Sequence, residues 1–146
     1  MKKRVLSLML VLAMAVGMLT GCGSSDGYEI ALITDKGNID DKSFNQGAWE
    51  GVVEYAEKNN ISHKYYKPEE ASDAGYLAAI DLAVEGGANV VVCPGFLFEV
   101  AVYQAQEAFP DVKFILLDGA PHTADYATYE TKSNVASVMY AEEESG

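Results

Sequence analysis

Two short and almost uninterrupted apolar runs, within Asn89–Cys93 and Val112–Leu117, limit what this chain can fold into more than any other feature. An extended segment that is apolar on both sides must be covered on both faces, as the interior strands of parallel sheets are. Each run is cut by a turn signal, Pro94-Gly95 after the first and Asp118-Gly119 after the second. Further strands are predicted over Tyr28–Thr34, Ser62–Lys67 and Val135–Tyr140. Helical spacing predicts helices over Phe44–Asn59, Asp73–Glu85 and Phe98–Phe109, with Asn59-Asn60, Gly86-Gly87 and Pro110 as stop signals. Strand and helix alternating in this order predict an α/β fold, a doubly wound three-layer parallel sheet. No internal repeat is visible, and no linker after Gly27 marks a second domain boundary.

The first strand-to-helix connection holds most of the chemistry. The apolar run Ile30–Ile33 opens into a polar loop with Asp35, Asn38, Asp40 and Asp41, and a helix signal follows. Ser43 and Gln46, three residues apart, predict a capping box in which each side chain satisfies an orphan N–H of the first turn. Phe44, Ala48, Val52 and Tyr55 share a predicted apolar stripe, while Trp49 and Glu50 are assigned to packing and to the surface. In an open α/β sheet, ligands bind outside the carboxyl ends of the strands. Asp35, Gly95, Phe96 and Asp118 all follow strand ends, so the fold would bring them to one rim.

Several chemistries are excluded by pattern. Gly37 is the sole glycine of the first connection, so neither a dinucleotide fingerprint nor a P-loop is present. Asp35, Asp40 and Asp41 lack the spacing and terminal glutamate of a calcium loop. His63 and His122 have no metal-ligand neighbour at useful spacing, and no nucleophile elbow occurs. No catalytic residue, metal or cofactor is therefore expected. The formal net charge of −12 disfavours nucleic acid and phosphate-bearing ligands as partners.

The first 21 residues read as an address. Lys2, Lys3 and Arg4 precede an apolar stretch, Val5–Met18, too short to span a bilayer. Leu19-Thr20-Gly21-Cys22 matches a bacterial lipobox, which predicts cleavage before Cys22 and acylation of its thiol. Residues 22–27 are a flexible tether by composition, and 28–146 the folded lobe. Cys93, inside an apolar run, is expected to be a buried inert thiol. Ala141–Ser145 reads as the start of another helix, and the expectation is a lobe truncated near its end.

Thr34-Asp35, Asp41-Lys-Ser-Phe-Asn-Gln46, Trp49-Glu-Gly51, Gly95-Phe96, Phe114-Ile-Leu-Leu-Asp118 and Asn134-Val135 together resemble the basic membrane protein family. These are substrate-binding lipoproteins of ABC importers, whose characterised members bind purine nucleosides. The resemblance implies one lobe of a type I periplasmic-binding fold, with the ligand clamped against a second lobe that is absent here. It implies an extracytoplasmic, membrane-anchored location and an ABC permease as partner. It also implies ligand contacts at Asp35, Phe44, Asn45, Gly95, Phe96 and Asp118. Periodicity alone would put Phe44 in the core, whereas the resemblance implies that its ring stacks on the base. The amide of Asn45 can donate and accept, which suits a purine edge. Phe96 is equally suited to packing between lobes. A sugar or other small polar solute is the alternative ligand, and a nucleoside-processing enzyme the alternative class.

The lipobox gives a direct test. Cys22→Ser should release the processed protein into the soluble extracytoplasmic fraction, and continued partition with membranes would refute acylation.

Overall fold

The computed structural model describes residues 28–141. Cys22, the address segment, the tether and the helix expected to run from Ala141 to Ser145 lie outside the described residues, apart from Ala141 itself. Five parallel strands, β1 (Ile30–Ile33), β2 (His63–Tyr66), β3 (Val90–Pro94), β4 (Lys113–Leu117) and β5 (Val135–Val138), form one sheet in the order β2-β1-β3-β4-β5. Helices α1 (Phe44–Asn59), α2 (Asp73–Glu85) and α3 (Glu99–Ala108) connect the first four strands. A short 3₁₀ turn, Phe96–Phe98, precedes α3, so that helix starts one residue later than its periodicity suggests. The doubly wound expectation holds.

Side-chain alternation along the strands builds two cores. Ala31, Ile33, Val91, Cys93, Phe114 and Leu116 face α2 and α3, and meet Tyr76, Ile80, Phe98, Val102 and Ala105. Ile30, Leu32 and Val92 face the other way, onto Val52 and Ala56 of α1. The register sets Leu32 opposite Val92 and Val92 opposite Ile115, so the central strands bury both faces. At about 25 cal/mol per Å2 of apolar surface, this two-sided burial is the main stabilising term.

The stripe on α1 is rotated from the sequence expectation. Its buried residues are Asn45, Val52 and Ala56, with Trp49 packed against the core, whereas Phe44 is 37% and Tyr55 58% exposed. The apolar stripe on a short amphipathic helix leaves room for such a rotation, and here the buried Asn45 decides it. The N-terminus of α1 also differs from the expected capping box. Ser43 makes no side-chain cap bond. Instead the Asp41 carboxylate accepts from the backbone N–H of Ser43 at 2.8 Å and of Gln46 at 3.3 Å. Gln46 Oε1 does reach back, to the N–H of Lys42 at 3.0 Å. Asp41 displaces Ser43 because it also receives Asn45 Nδ2, at 2.9 Å, and a carboxylate is the stronger acceptor beside a helix N-terminus.

Between β4 and β5 the chain makes a long irregular excursion, pinned by buried polar groups. Asn134 Nδ2 donates toward the carbonyls of Gln106, Phe109 and Val112, each at 3.2 Å. Gln106 Nε2 donates to the Glu130 carbonyl and its Oε1 accepts the Lys132 N–H, both at 3.0 Å.

The cap exchange is testable. Asp41→Ala should lower the melting temperature and Ser43→Ala should leave it nearly unchanged. The side-chain hydrogen bond from Asn45, followed by the backbone N–H bonds, holds the Asp41 carboxyl below its usual pKa. Its contribution is therefore present above the unfolded value near ~3.9 and is lost as pH falls through the folded one. Thermal melts of the Asp41→Ala and parent chains should accordingly converge on acidification below about pH 4.

Candidate functional site

Strand order reverses between β1 and β3, since the chain leaves β1 toward β2 and then crosses back to β3. That switch point opens a crevice at the carboxyl ends of the two strands, where ligands of such sheets bind. Asp35 follows β1, Gly95 follows β3 and Asp118 follows β4. The structure thus brings these three candidates to one rim.

Asp35 is half-buried and partly committed. Its Oδ1 accepts the Gly37 N–H at 2.7 Å and Asn45 Nδ2 at 2.6 Å, leaving Oδ2 without a protein partner among the described residues. The loop is also tied from outside, where Lys67 Nζ donates to Asn38 Oδ1 at 2.6 Å. Asp118 lies in the left-handed region at φ 58°, its N–H bonded to the Val138 carbonyl at 2.7 Å. Its carboxylate has no protein partner among the described residues. A non-glycine residue held there by flanking strands is a strain often found at functional positions.

Gly95 has φ 107° and ψ 160°, a conformation open almost only to glycine, and its N–H donates to the Leu117 carbonyl at 2.8 Å. This backbone turns the chain from β3 into the Phe96–Phe98 turn and leaves Phe96 63% exposed. Phe44, at the first position of α1, presents its ring at the same end of the sheet. It meets the Tyr140 ring edge-on at a centroid distance of 5.9 Å, and both line a cavity of about 320 Å3 with Ser43, Gly47, Ala48 and Leu117. A roomier cavity of about 480 Å3 lies between the β2–α2 connection and the outer side of α2. It is lined by Glu69, Glu70, Asp81 and Glu85 and gathers none of the strand-end groups, which leaves the rim as the candidate site.

Asn45 does not present its amide at the open surface of the rim. Its side chain is 2% exposed and turned into the protein, with both amide hydrogens given to Asp35 and Asp41 and its oxygen accepting the Asp35 N–H at 3.2 Å. Sequence reasoning passed over Gly37, which lies against Asn45, Lys67, which bonds Asn38, and Tyr140, which meets Phe44. Gly37 did carry a signal, as the lone glycine of the loop. Tyr140 and Lys67 carried none, because their contacts bridge distant parts of the chain.

Beyond these candidates, His122 and Glu99 form a polar pair. His122, 2% exposed, faces Glu99 Oε2 through Nε2 at 3.0 Å and the Thr123 carbonyl through Nδ1 at 2.7 Å, and stacks on Tyr126. Glu99 also accepts the Ala120 N–H at 2.9 Å, so the pair anchors the start of the β4–β5 excursion. Among the described residues no group of three or more His, Cys, Asp and Glu is arranged to hold a metal ion. No helix among them is long and apolar enough to cross a membrane.

Comparison with known proteins identifies the family and agrees with the fold. Residues 29–146 match the Bmp family, described as ABC transporter substrate-binding protein, PnrA-like. The chain belongs to that family of substrate-binding proteins. It is 28% identical to an ABC transporter nucleoside-binding protein, BmpA, of Lactococcus lactis, over 99% of this chain and 42% of that protein. It is also 28% identical to a CD4+ T-cell-stimulating antigen of Listeria monocytogenes, over 96% of this chain and 42% of the relative. Among solved structures, an ABC transporter solute-binding protein from Aeropyrum pernix superposes with a TM-score of 0.66 at 28% identity, over 79% of this chain and 29% of that one. The chain thus spans less than half the length of these relatives.

Cys93 offers a check on the packing beneath the rim. Burial without compensating charge pushes its thiol far above the ordinary cysteine range. Thiol titration at pH 8 should find it unreactive in the folded chain and reactive once denaturant is added.

Proposed function

We propose that this chain is the N-terminal ligand-binding lobe of a lipid-anchored substrate-binding protein for an ABC importer, and that its ligand is a purine nucleoside. The observation that carries this reading is the switch-point rim itself. Two carboxylates stand at the carboxyl ends of β1 and β4, with Gly95 at the end of β3 between them. Asp35 has one oxygen unpartnered among the described residues, Asp118 has no partner for its carboxylate among them, and the exposed ring of Phe44 lies at the same end of the sheet. A nucleoside needs that combination, a flat surface for the base and acceptors for ribose hydroxyls or a base N–H. Gly95 allows close backbone approach, and Phe96 meets the ligand or the opposing lobe. The rim supplies carboxylates where a phosphate would need donors and positive charge, so neutral nucleosides are favoured over nucleotides. The nucleoside-binding relative supports the ligand class. Non-covalent capture, closure against a second lobe and hand-over to a permease complete the function, with no catalytic step. Acylated Cys22 would hold the protein at the outer face of the cell membrane.

Titrating the 15N-labelled chain with adenosine, guanosine, ribose and adenosine monophosphate tests the proposal. Nucleosides should shift the amides of Asp35, Phe44, Gly95 and Asp118, weakly because one lobe makes half a clamp. Ribose and the monophosphate should leave them in place. Equal or tighter binding of the monophosphate would overturn the reading, and a response to ribose alone would favour a sugar ligand.

Phe44 separates stacking from packing. Phe44→Ala should weaken nucleoside binding by about 1–3 kcal/mol. Its melting temperature should change little, whereas a fully buried phenylalanine truncated to alanine costs roughly 3–5 kcal/mol.

A further inference from the structure

We infer that Asn45 is a positioning residue for this site, acting on the ligand through Asp35 and Asp41, and that the missing side chain of Gly37 is what lets the three groups meet. The inference rests on the proposed nucleoside site.

The hydrogen-bond inventory of one amide carries the argument. A side-chain amide has two N–H donors, and Asn45 directs both at carboxylates, Asp35 Oδ1 at 2.6 Å and Asp41 Oδ2 at 2.9 Å. Its oxygen accepts the Asp35 N–H at 3.2 Å. With the side chain 2% exposed, no donor remains for a ligand. The amide instead sits between two carboxylates and offsets their mutual repulsion. Asp35 belongs to the rim and Asp41 caps the helix whose first residue is Phe44. One side chain therefore sets the spacing between the acceptor oxygen Asp35 Oδ2 and the stacking ring.

Gly37 closes over this cluster. A Cβ at that position would lie 2.7 Å from Asn45 Nδ2, 2.8 Å from Asp41 Oδ2 and 3.3 Å from Asp35 Oδ1. The first two are closer than real Cβ contacts allow, so a methyl group must push the amide or a carboxylate out of place. Gly37 is thus needed for close approach rather than for backbone freedom.

Two measurements on the whole chain test the inference. The first needs no ligand. Amide hydrogen exchange at Gly37, whose N–H bonds Asp35 Oδ1, should accelerate roughly tenfold in Asn45→Ala, in the range of coupling between groups of one network. Gly37→Ala should loosen the Asp35 amide to a similar degree while the chain stays folded. Unchanged protection in Asn45→Ala would show that Asn45 does not hold Asp35, and would overturn the inference even if no nucleoside binds. The second is a double-mutant cycle read by adenosine titration. Asn45→Ala should weaken binding roughly tenfold in the parent chain and have almost no further effect in Asp35→Asn. An equal loss in both backgrounds would make Asn45 a direct ligand contact and overturn the positioning role. A parent chain that binds no nucleoside, yet shows the exchange effect, would refute the nucleoside site and leave the positioning of Asp35 by Asn45 standing.

Discussion

The reversal of strand order at β1 and β3 is the constraint on which the remaining structure depends. Both strands are buried on two faces, and their ladder pairs Ile30 with Val90, Ala31 with Val91 and Leu32 with Val92. With the apolar faces committed, helices must lie on both sides, and the connections leaving the two strands must diverge. The divergence leaves a gap at the carboxyl ends that backbone cannot fill. Asp35, Gly95 and Asp118 follow the strand ends at that gap, and it is the place where sheets of this topology bind ligands.

Polar side chains hold the irregular connections at both ends of the sheet. At the carboxyl ends of the strands Asn45 clamps the β1–α1 connection, and Glu99 and His122 fasten the chain after β4; at the opposite end of the sheet Gln106 and Asn134 fasten the chain before β5. Each replaces the regular ladder that an irregular segment lacks, because buried backbone and side-chain polar groups must find partners. The hydroxyls of Thr34 and Tyr76 are exceptions, buried with no hydrogen-bond partner among the described residues. Burial, and then the charges of Asp35 and Asp73, keep the Tyr76 phenol protonated above its usual range.

Strands, helices and their order were legible because they rest on local patterns. The run Val90–Cys93 announces a strand covered on both faces, and Gly86-Gly87 and Asn60 end helices through their own backbone preferences. The capping residue of α1 was misread, since Ser43 and Gln46 satisfy the sequence pattern while Asp41, two residues earlier, offers a better acceptor that Asn45 already holds in place. The buried face of α1 was likewise misjudged by a fraction of a turn. Tyr55 and Phe44 fit an apolar stripe, yet the polar Asn45 takes the interior place because two carboxylates await its amide.

By itself the sequence determined the fold class, the strand ends that carry Asp35, Gly95 and Asp118, and the family to which the chain belongs. These follow from side-chain periodicity and turn chemistry acting over a few residues. Tertiary structure alone decided which oxygen of Asp35 is bonded within the loop, why Gly37 must lack a side chain, and that Tyr140 stands beside Phe44. Those outcomes depend on distances of 2.6–5.9 Å between groups far apart along the chain or turned by a helix, and local pattern carries no measure of such distances.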